Sequence, residues 1–213
     1  MMENRIWLGM YPRGTPADID ASTYPSLTAI FEESCRRFAA RPAYHNLGVT
    51  LSYGDVESLS RRFAAYLCGL GLAKGDRVAL MMPNLLQYPV ALFGALRAGL
   101  TVVNTNPLYT ARELRHQLCD SGARCVVVLE NFAHVLAEVR ADTSVEHVVI
   151  TRVGDLAPLP RRAAVNFAVR YIKNMVRRYE LPGATWFRDA LALGAHCEFR
   201  GPVIGANDLA FLQ

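Results

Sequence analysis

RVALMMPNLLQYPVALFGALRAGLTVVNTNPLYTARELRHQL, residues 77–118, is the stretch that decides the fold. Its first run, Val78 to Met82, is unbroken apolar and closes on Pro83-Asn84, as a buried strand would. Leu85 to Ala98 is an apolar segment of helical length, ended by Gly99. Leu100 to Val103 is a second β-rich run, closed by Asn106-Pro107. Strand, helix and strand at this spacing form a unit whose strands run parallel, because the helix supplies the crossover that parallel strands need. Thr110 and Glu113 then show the capping-box pattern, in which each side chain takes up the other's free amide as a new helix begins.

Beyond this unit the alternation continues. Arg124–Leu129 (RCVVVL) and His147–Thr151 (HVVIT) are short β-branched runs, and Phe132–Val139 between them has the length of a short helix. Four strand runs between Val78 and Thr151, alternating with helices, predict an α/β fold with a mostly parallel sheet flanked by helices. Upstream, Ser26 is placed to cap a helix carrying Leu27, Ile30, Phe31 and Phe38 on one face, and Pro42 stops it. Ala43–Asn46 and Val49–Ser52 flank Leu47-Gly48 as a tight hairpin. Ser52 and Asp55 make a looser capping box for a helix with Val56, Leu59, Phe63 and Leu67 on one face, which Gly69 and Gly71 end. The expected organisation is an irregular arm over 1–25, an α/β core over 26–157, a basic amphipathic helix segment over 158–183 and a tail over 184–213. Within that tail Trp186–Leu193 reads as a short helix, and the rest as loop until Asp208–Leu212.

Composition bounds the function. With 52% hydrophobic and 20% charged residues, the 213-residue chain is of ordinary globular type and long enough for a sizeable core. No stretch approaches the roughly 18–20 apolar residues of a spanning helix, and Met1 to Trp7 lacks the apolar region of a secretory signal. Five scattered cysteines without CxxC spacing argue for a reducing compartment, so a cytoplasmic location is expected.

The usual chemical motifs are missing. Gly69-Leu-Gly71 with Gly75 resembles a glycine-rich phosphate loop, but the third glycine is one place late and the loop follows a helix instead of a strand. A helix cap and turn is the better reading. GxxxxGK[ST], GxSxG and HExxH do not occur. His116 with Cys119, and His196 with Cys197, lack the second ligand pair of a zinc site. Asp76, Glu113 and Asp120 fall at element ends, where capping and loop roles account for them. Catalytic, cofactor-binding and metal-ligating residues are therefore all expected to be absent.

The net charge of +4 is uneven. Residues 161–178 hold six basic side chains and no acid, and without them 17 basic residues stand against 19 acidic ones. On a helical wheel Val165, Ala168, Val169, Ile172, Met175, Val176 and Tyr179 share one face, opposite Asn166, Arg170, Lys173, Asn174 and Arg177. Three readings are open: an ordinary surface helix with its apolar face in the core, a membrane-surface element, or a nucleic-acid or partner contact. The lack of a second basic patch weighs against nucleic acid. For the membrane reading the candidate contacts are Arg170, Lys173, Arg177 and Arg178, set against an anionic surface.

Three stretches resemble the adenylate-forming (acyl/aryl-CoA ligase) superfamily. Leu51-Ser-Tyr-Gly-Asp-Val56 is similar to its "T-Y-x-E-L" element, and GLAKGDRVAL at 71–80 to its "G-(L/V)-x-(K/P)-G-D-R-V-A". Leu96-Arg-Ala-Gly99 with Asn104-Thr-Asn-Pro107 is similar to "(L/K)-x-A-G-x-(V/A)-x-x-x-(N/D)-P". Each is weak alone, but the order and spacing are specific. MMPNLLQYPVALFGALRAG and NPLYTARELRHQLCDSGA look especially like bacterial long-chain fatty acid–CoA ligases, a likeness that extends over nearly the whole chain.

The resemblance implies the first part of the large N-terminal domain of an AMP-forming ligase of fatty acid metabolism. The parent would use ATP, Mg²⁺ and CoA to turn a long-chain fatty acid into acyl-CoA through an acyl-adenylate. In the family a phosphate loop, "Y-T-(S/G)-G-T-T-G-x-x-K-G", follows a segment like DLAFLQ at 208–213, so the resemblance places the catalytic residues beyond Gln213 and the fragment is expected to be inactive. A parallel sheet cut short should expose an edge and apolar surface, so self-association or a homodimer is expected, with no nucleic-acid partner. Peripheral attachment to the inner face of the membrane follows if the basic helix is a surface element. The alternative is a stand-alone peripheral membrane or interaction module using helix 161–178.

Overall fold

The computed structural model describes residues 5–213, so the first four residues of the expected arm lie outside it. Eight strands and seven α-helices follow one another: α1 (Leu27–Phe38), β1 (Pro42–Asn46), β2 (Val49–Ser52), α2 (Tyr53–Gly69), β3 (Arg77–Met81), α3 (Gln87–Arg97), β4 (Thr101–Asn104) and α4 (Ala111–Ser121). Then come β5 (Cys125–Leu129), α5 (Ala133–Val139), β6 (His147–Thr151), α6 (Leu159–Phe167), β7 (Thr185–Trp186), α7 (Phe187–Ala195) and β8 (Phe211–Leu212).

Six strands form one parallel sheet in the order β7-β6-β5-β3-β4-β8. Central β3 lies between β4 and β5, with Val78 opposite Val102 on one side and Cys125 on the other. Alternate residues supply the two cores, as the period of a strand requires. Val78, Leu80, Val127 and Val149 pack under α3, α2 and α7, whereas Ala79, Met81, Val126 and Val128 pack against α4 and α5. Burial on both faces explains why these strands are continuous apolar runs and not alternating ones. β1 and β2 form a separate antiparallel pair joined through Leu47 and Gly48, both at positive φ.

Local chemistry sets the helix ends as the sequence predicts. Ser26 Oγ accepts from the Ala29 amide at 3.1 Å, and both capping boxes close, Ser52 with Asp55 and Thr110 with Glu113. Gly71 and Gly75 take left-handed φ in the turn between α2 and β3, a cap-and-turn geometry. Helix α2 is held on both sides by glycines. A Cβ on Gly194 of α7 would lie 1.9 Å from the Arg62 carbonyl oxygen, and one on Gly94 of α3 would lie 2.8 Å from the Phe63 ring.

Two expectations need correction. The basic segment is not one helix over 158–183: α6 passes into a wide π-turn, Ala168–Ile172, closed by Lys173 N–H donating to Ala168 O at 2.8 Å. Asn174 then turns to φ 49°, and the chain runs irregularly to Pro182. The left-handed residue stops the helix where the 3.6 periodicity alone would carry it on. The tail reading is corrected at Thr185–Trp186, which forms β7, whereas β8 falls within Asp208–Leu212, where the loop reading ends; the two are the edge strands of the sheet. Each edge strand is two residues long, too short for a periodic signal.

Candidate functional site

In an open parallel sheet, ligands favour the crevice beyond the strand C-termini where successive helices leave on opposite faces. Here that point lies between β3 and β5, because α3 follows β3 onto one face and α5 follows β5 onto the other. The strand ends there carry polar groups that bond mostly to one another. Tyr88 donates to Asn104 Oδ1 at 2.7 Å, and Gln117 Nε2 donates to the Asn104 carbonyl at 3.0 Å. Buried Gln87 reaches from α3 to the Arg152 carbonyl at 2.7 Å, tying the start of the helix to the end of β6.

A concentrated charge cluster sits at the end of β5. Glu130 is 3% exposed and would be costly to bury alone. Arg170 donates to its Oε1 at 2.7 Å, Tyr179 to the same oxygen at 3.1 Å, and Arg152 Nε to Oε2 at 3.0 Å. Arg152 in turn lies over the Trp186 ring, 4.0 Å from its centroid. Burial, with the Glu130 charge beside it, pushes the Tyr179 phenol up to about 12. With both carboxylate oxygens engaged by cations and the phenol protonated at neutral pH, the cluster has no group ready to move a proton. Its chemistry is that of a clamp joining β5, β6 and the basic segment.

Two hollows adjoin the clamp. One, of about 230 Å³, lies among Asp155, Arg162, Asn166, Arg188 and Asp189, with Trp186 as a wall. Burial raises the Asp155 carboxyl despite hydrogen bonds from Thr151 Oγ1 and the Arg152 amide. The other, a bowl of about 790 Å³, is lined by Arg152, Arg170, Arg177, Arg178 and Trp186 among others. A third cavity, of about 390 Å³, lies elsewhere, between α1, β1, α2 and α3, and is almost wholly apolar.

The residues singled out in the sequence are dispersed. His116 and Cys119 are exposed on α4, and Cys119 donates only to the Asp142 carbonyl at 3.4 Å. His196 and Cys197 follow α7, also exposed. Asp76 pairs with Arg124 and accepts from the Ala73 amide at 2.8 Å, while Glu113 is taken up by its cap. Among the described residues no group of three or more His, Cys, Asp or Glu could hold a metal. Lying apart, the residues singled out in the sequence do not assemble a nucleotide or Mg²⁺ site.

All four surface candidates, Arg170, Lys173, Arg177 and Arg178, are exposed, and Arg170 is also paired with Glu130. The Glu130 clamp is not among the residues that the sequence singles out. A lone glutamate closing an apolar strand run is the signal that could have marked it.

Comparison with known proteins places these features in a lineage. The family model described as AMP-binding enzyme matches residues 31–213. A long-chain-fatty-acid--CoA ligase of Salmonella typhimurium is 54% identical over 210 residues, covering 98% of this chain, and one of Escherichia coli O6:H1 is 53% identical over the same length. The chain spans 37% of the length of these curated relatives. Among solved structures, the anthranilate CoA ligase AuaEII in complex with anthranoyl-AMP superposes with a TM-score of 0.71 at 18% identity, over 91% of this chain and 33% of that one, a likeness of fold.

Proposed function

Since this chain belongs to the AMP-binding enzyme family, we propose that it is the incomplete N-terminal domain of a long-chain fatty acid–CoA ligase. The observation that carries this reading is the 54% identity to the Salmonella ligase over 210 residues, 98% of this chain. Identity of that extent favours the ligase over a stand-alone module.

In the reaction proposed for the whole protein, a fatty carboxylate attacks the α-phosphorus of ATP, and pyrophosphate leaves. The thiol of CoA then attacks the acyl carbon and AMP departs. Activation is needed because a carboxylate is a poor electrophile until its oxygen becomes a good leaving group. Charge developing on the phosphate needs amide donors and a cation such as Mg²⁺. Residues 1–213 contribute the parallel scaffold to this chemistry, and within it Glu113 serves a helix cap, Asp76 an ion pair, and Gly71 and Gly75 a turn.

The test is to express the whole protein and measure pyrophosphate and AMP with ATP, CoA and a long-chain fatty acid. Fatty-acid-dependent release of both is expected, and its absence would overturn the reading. Residues 1–213 alone are expected to release neither.

A further inference from the structure

Strand β8 is too short to choose its own register. It pairs with β4 only through Val102 opposite Phe211 and Val103 opposite Leu212. A slip by one residue is opposed by the two cores, because Phe211 packs on the α3 side of the sheet and Leu212 on the α4 side. A slip by two is not opposed in this way. It keeps every side chain on its own face and brings Leu209 opposite Val102. Leu209 is apolar, and it is 59% exposed where it stands. The apolar pattern therefore leaves two registers open, and contacts outside the strand have to decide between them.

Those contacts lie just ahead of β8. Lys74, in the turn before β3, holds its ammonium 2.7 Å from Asp208 Oδ2 and donates to the Val203 carbonyl at 2.9 Å. Asp208 Oδ2 also accepts from the Gly205 amide at 2.7 Å, which closes the loop on itself. One residue on, Thr101 Oγ1 donates to the Leu209 carbonyl at 3.0 Å, and the Val102 amide donates to the Ala210 carbonyl at 2.9 Å. Gly99 shapes the approach, since a Cβ there would stand 2.6 Å from the Pro202 ring and 3.1 Å from the Lys74 side chain. A slip of β8 by two would carry Asp208 about 7 Å along the strand and break its pair with Lys74.

Lys74 and Asp208 are 42% and 34% exposed, so as a surface ion pair they add little to stability. Their hold on position is worth more. About 7 Å separates the two registers, whereas a misplacement of about 1 Å is enough to slow a reaction. In a parallel sheet the chain leaving the C-terminal end of a strand enters the ligand side. Strand β8 ends there beside β4, next to the contacts that Tyr88 and Gln117 make with Asn104.

We propose that Lys74 and Asp208 are positioning residues for the adenylation step: their ion pair locks β8 in register and so sets where the segment after it stands. The inference rests on the ligase reading. Both residues lie at the opposite end of the sheet, ahead of β3 and β8, so they act through the strand and not on substrate.

The test compares the whole protein with Lys74→Met, Lys74→Arg, Asp208→Asn and the Lys74→Met, Asp208→Asn double variant. In pyrophosphate release from ATP and a long-chain fatty acid, Lys74→Met should lower kcat at least about tenfold and leave KM for the fatty acid within about twofold. Lys74→Arg keeps a cation within reach and should retain at least about a third of the wild-type kcat. The double variant should be no worse than Lys74→Met, because the two changes remove one shared contact. All melts should lie within about 3 °C of the wild type, as suits a surface pair. Without substrates, amide hydrogen exchange at 210–212 should be at least about tenfold faster in Lys74→Met, with β3 and β5 unaltered.

An active wild type with an unaltered kcat in Lys74→Met would overturn this inference and leave the ligase reading in place. Unaltered exchange at 210–212, additive losses in the double variant, or failure of Lys74→Arg to restore activity would overturn it too. So would a large fall in melting temperature that tracks the loss of activity, which would mark a merely structural pair. A wild type that releases no pyrophosphate would sink the ligase reading and the adenylation role together, while faster exchange in Lys74→Met would still uphold the register lock.

Discussion

At the scale of single residues, the least replaceable positions are those where two backbones meet. Gly194 lets α7 lie on α2 so closely that an added methyl would stand 1.9 Å from the Arg62 carbonyl. Backbone cannot step aside as a side-chain tip can, so Gly194→Ala should cost about 3 kcal/mol, at the upper end of overpacking effects. Chemical denaturation would measure it, and a loss below about 0.5 kcal/mol would show that the helices separate freely. Gly94 faces the Phe63 ring, which can shift a little, and its alanine variant should suffer less. Sequence gave little warning of either glycine, because a glycine inside a helix looks the same whether it faces solvent or a neighbour. Glu130 was hidden for a related reason: its two arginine partners lie 22 and 40 residues downstream, beyond any local pattern.

At the scale of elements, the legible features are those whose causes are local. The capping boxes at Ser52 and Thr110 need only three residues of spacing, and both form. Thr110→Ala should lower stability by about 1 kcal/mol, while Thr110→Ser should be nearly neutral, as thermal melts can show. Contacts between elements were less visible. Arg97 at the end of α3 is 2% exposed, donating to Glu57 Oε1 of α2 at 2.9 Å and lying 3.3 Å from Glu32 of α1. Burial alone would raise the Glu57 carboxyl, but hydrogen bonds and charge from Arg97, and then from Arg61, hold it below the usual 4.5. A depressed carboxyl adds stability above its unfolded value, and that contribution is lost as pH falls through the folded one. Glu57→Gln should therefore lower stability at neutral pH and flatten the acid limb below 4.5. A pH series of melts with parallel curves for the two proteins would refute this coupling. The segment after α6 failed as a single helix because a periodic pattern records which face is apolar, not where the backbone changes hand. Asn174 at φ 49° makes that change.

At the scale of the whole molecule, the parallel α/β fold was legible because strands buried on both faces leave unbroken apolar runs such as Cys125 to Leu129. The candidate site was not, since no local motif marks it and the Glu130 clamp joins residues far apart in the chain. Residues 5–213 combine a second, two-stranded sheet, two-residue edge strands on the main one and an apolar cavity of about 390 Å³. We expect self-association of this piece in light scattering at micromolar concentration, through edges and apolar surface that ordinary monomers cover. A constant monomer mass across that range would count against it.

The pairing of β8 with β4 sets an order of assembly. Thr101 Oγ1 donates to the Leu209 carbonyl across 108 residues of chain, and Val102 lies opposite Phe211. The loop-closure cost of joining them grows only with the logarithm of that length, so the delay is set by synthesis more than by entropy. At ribosomal speed roughly 5–20 s separate the emergence of the two strands. During that interval β3 can recruit its neighbours while the outer side of β4 stands unpaired. The nascent chain therefore carries an open strand edge for seconds, a window in which a chaperone, or another nascent chain, competes with β8.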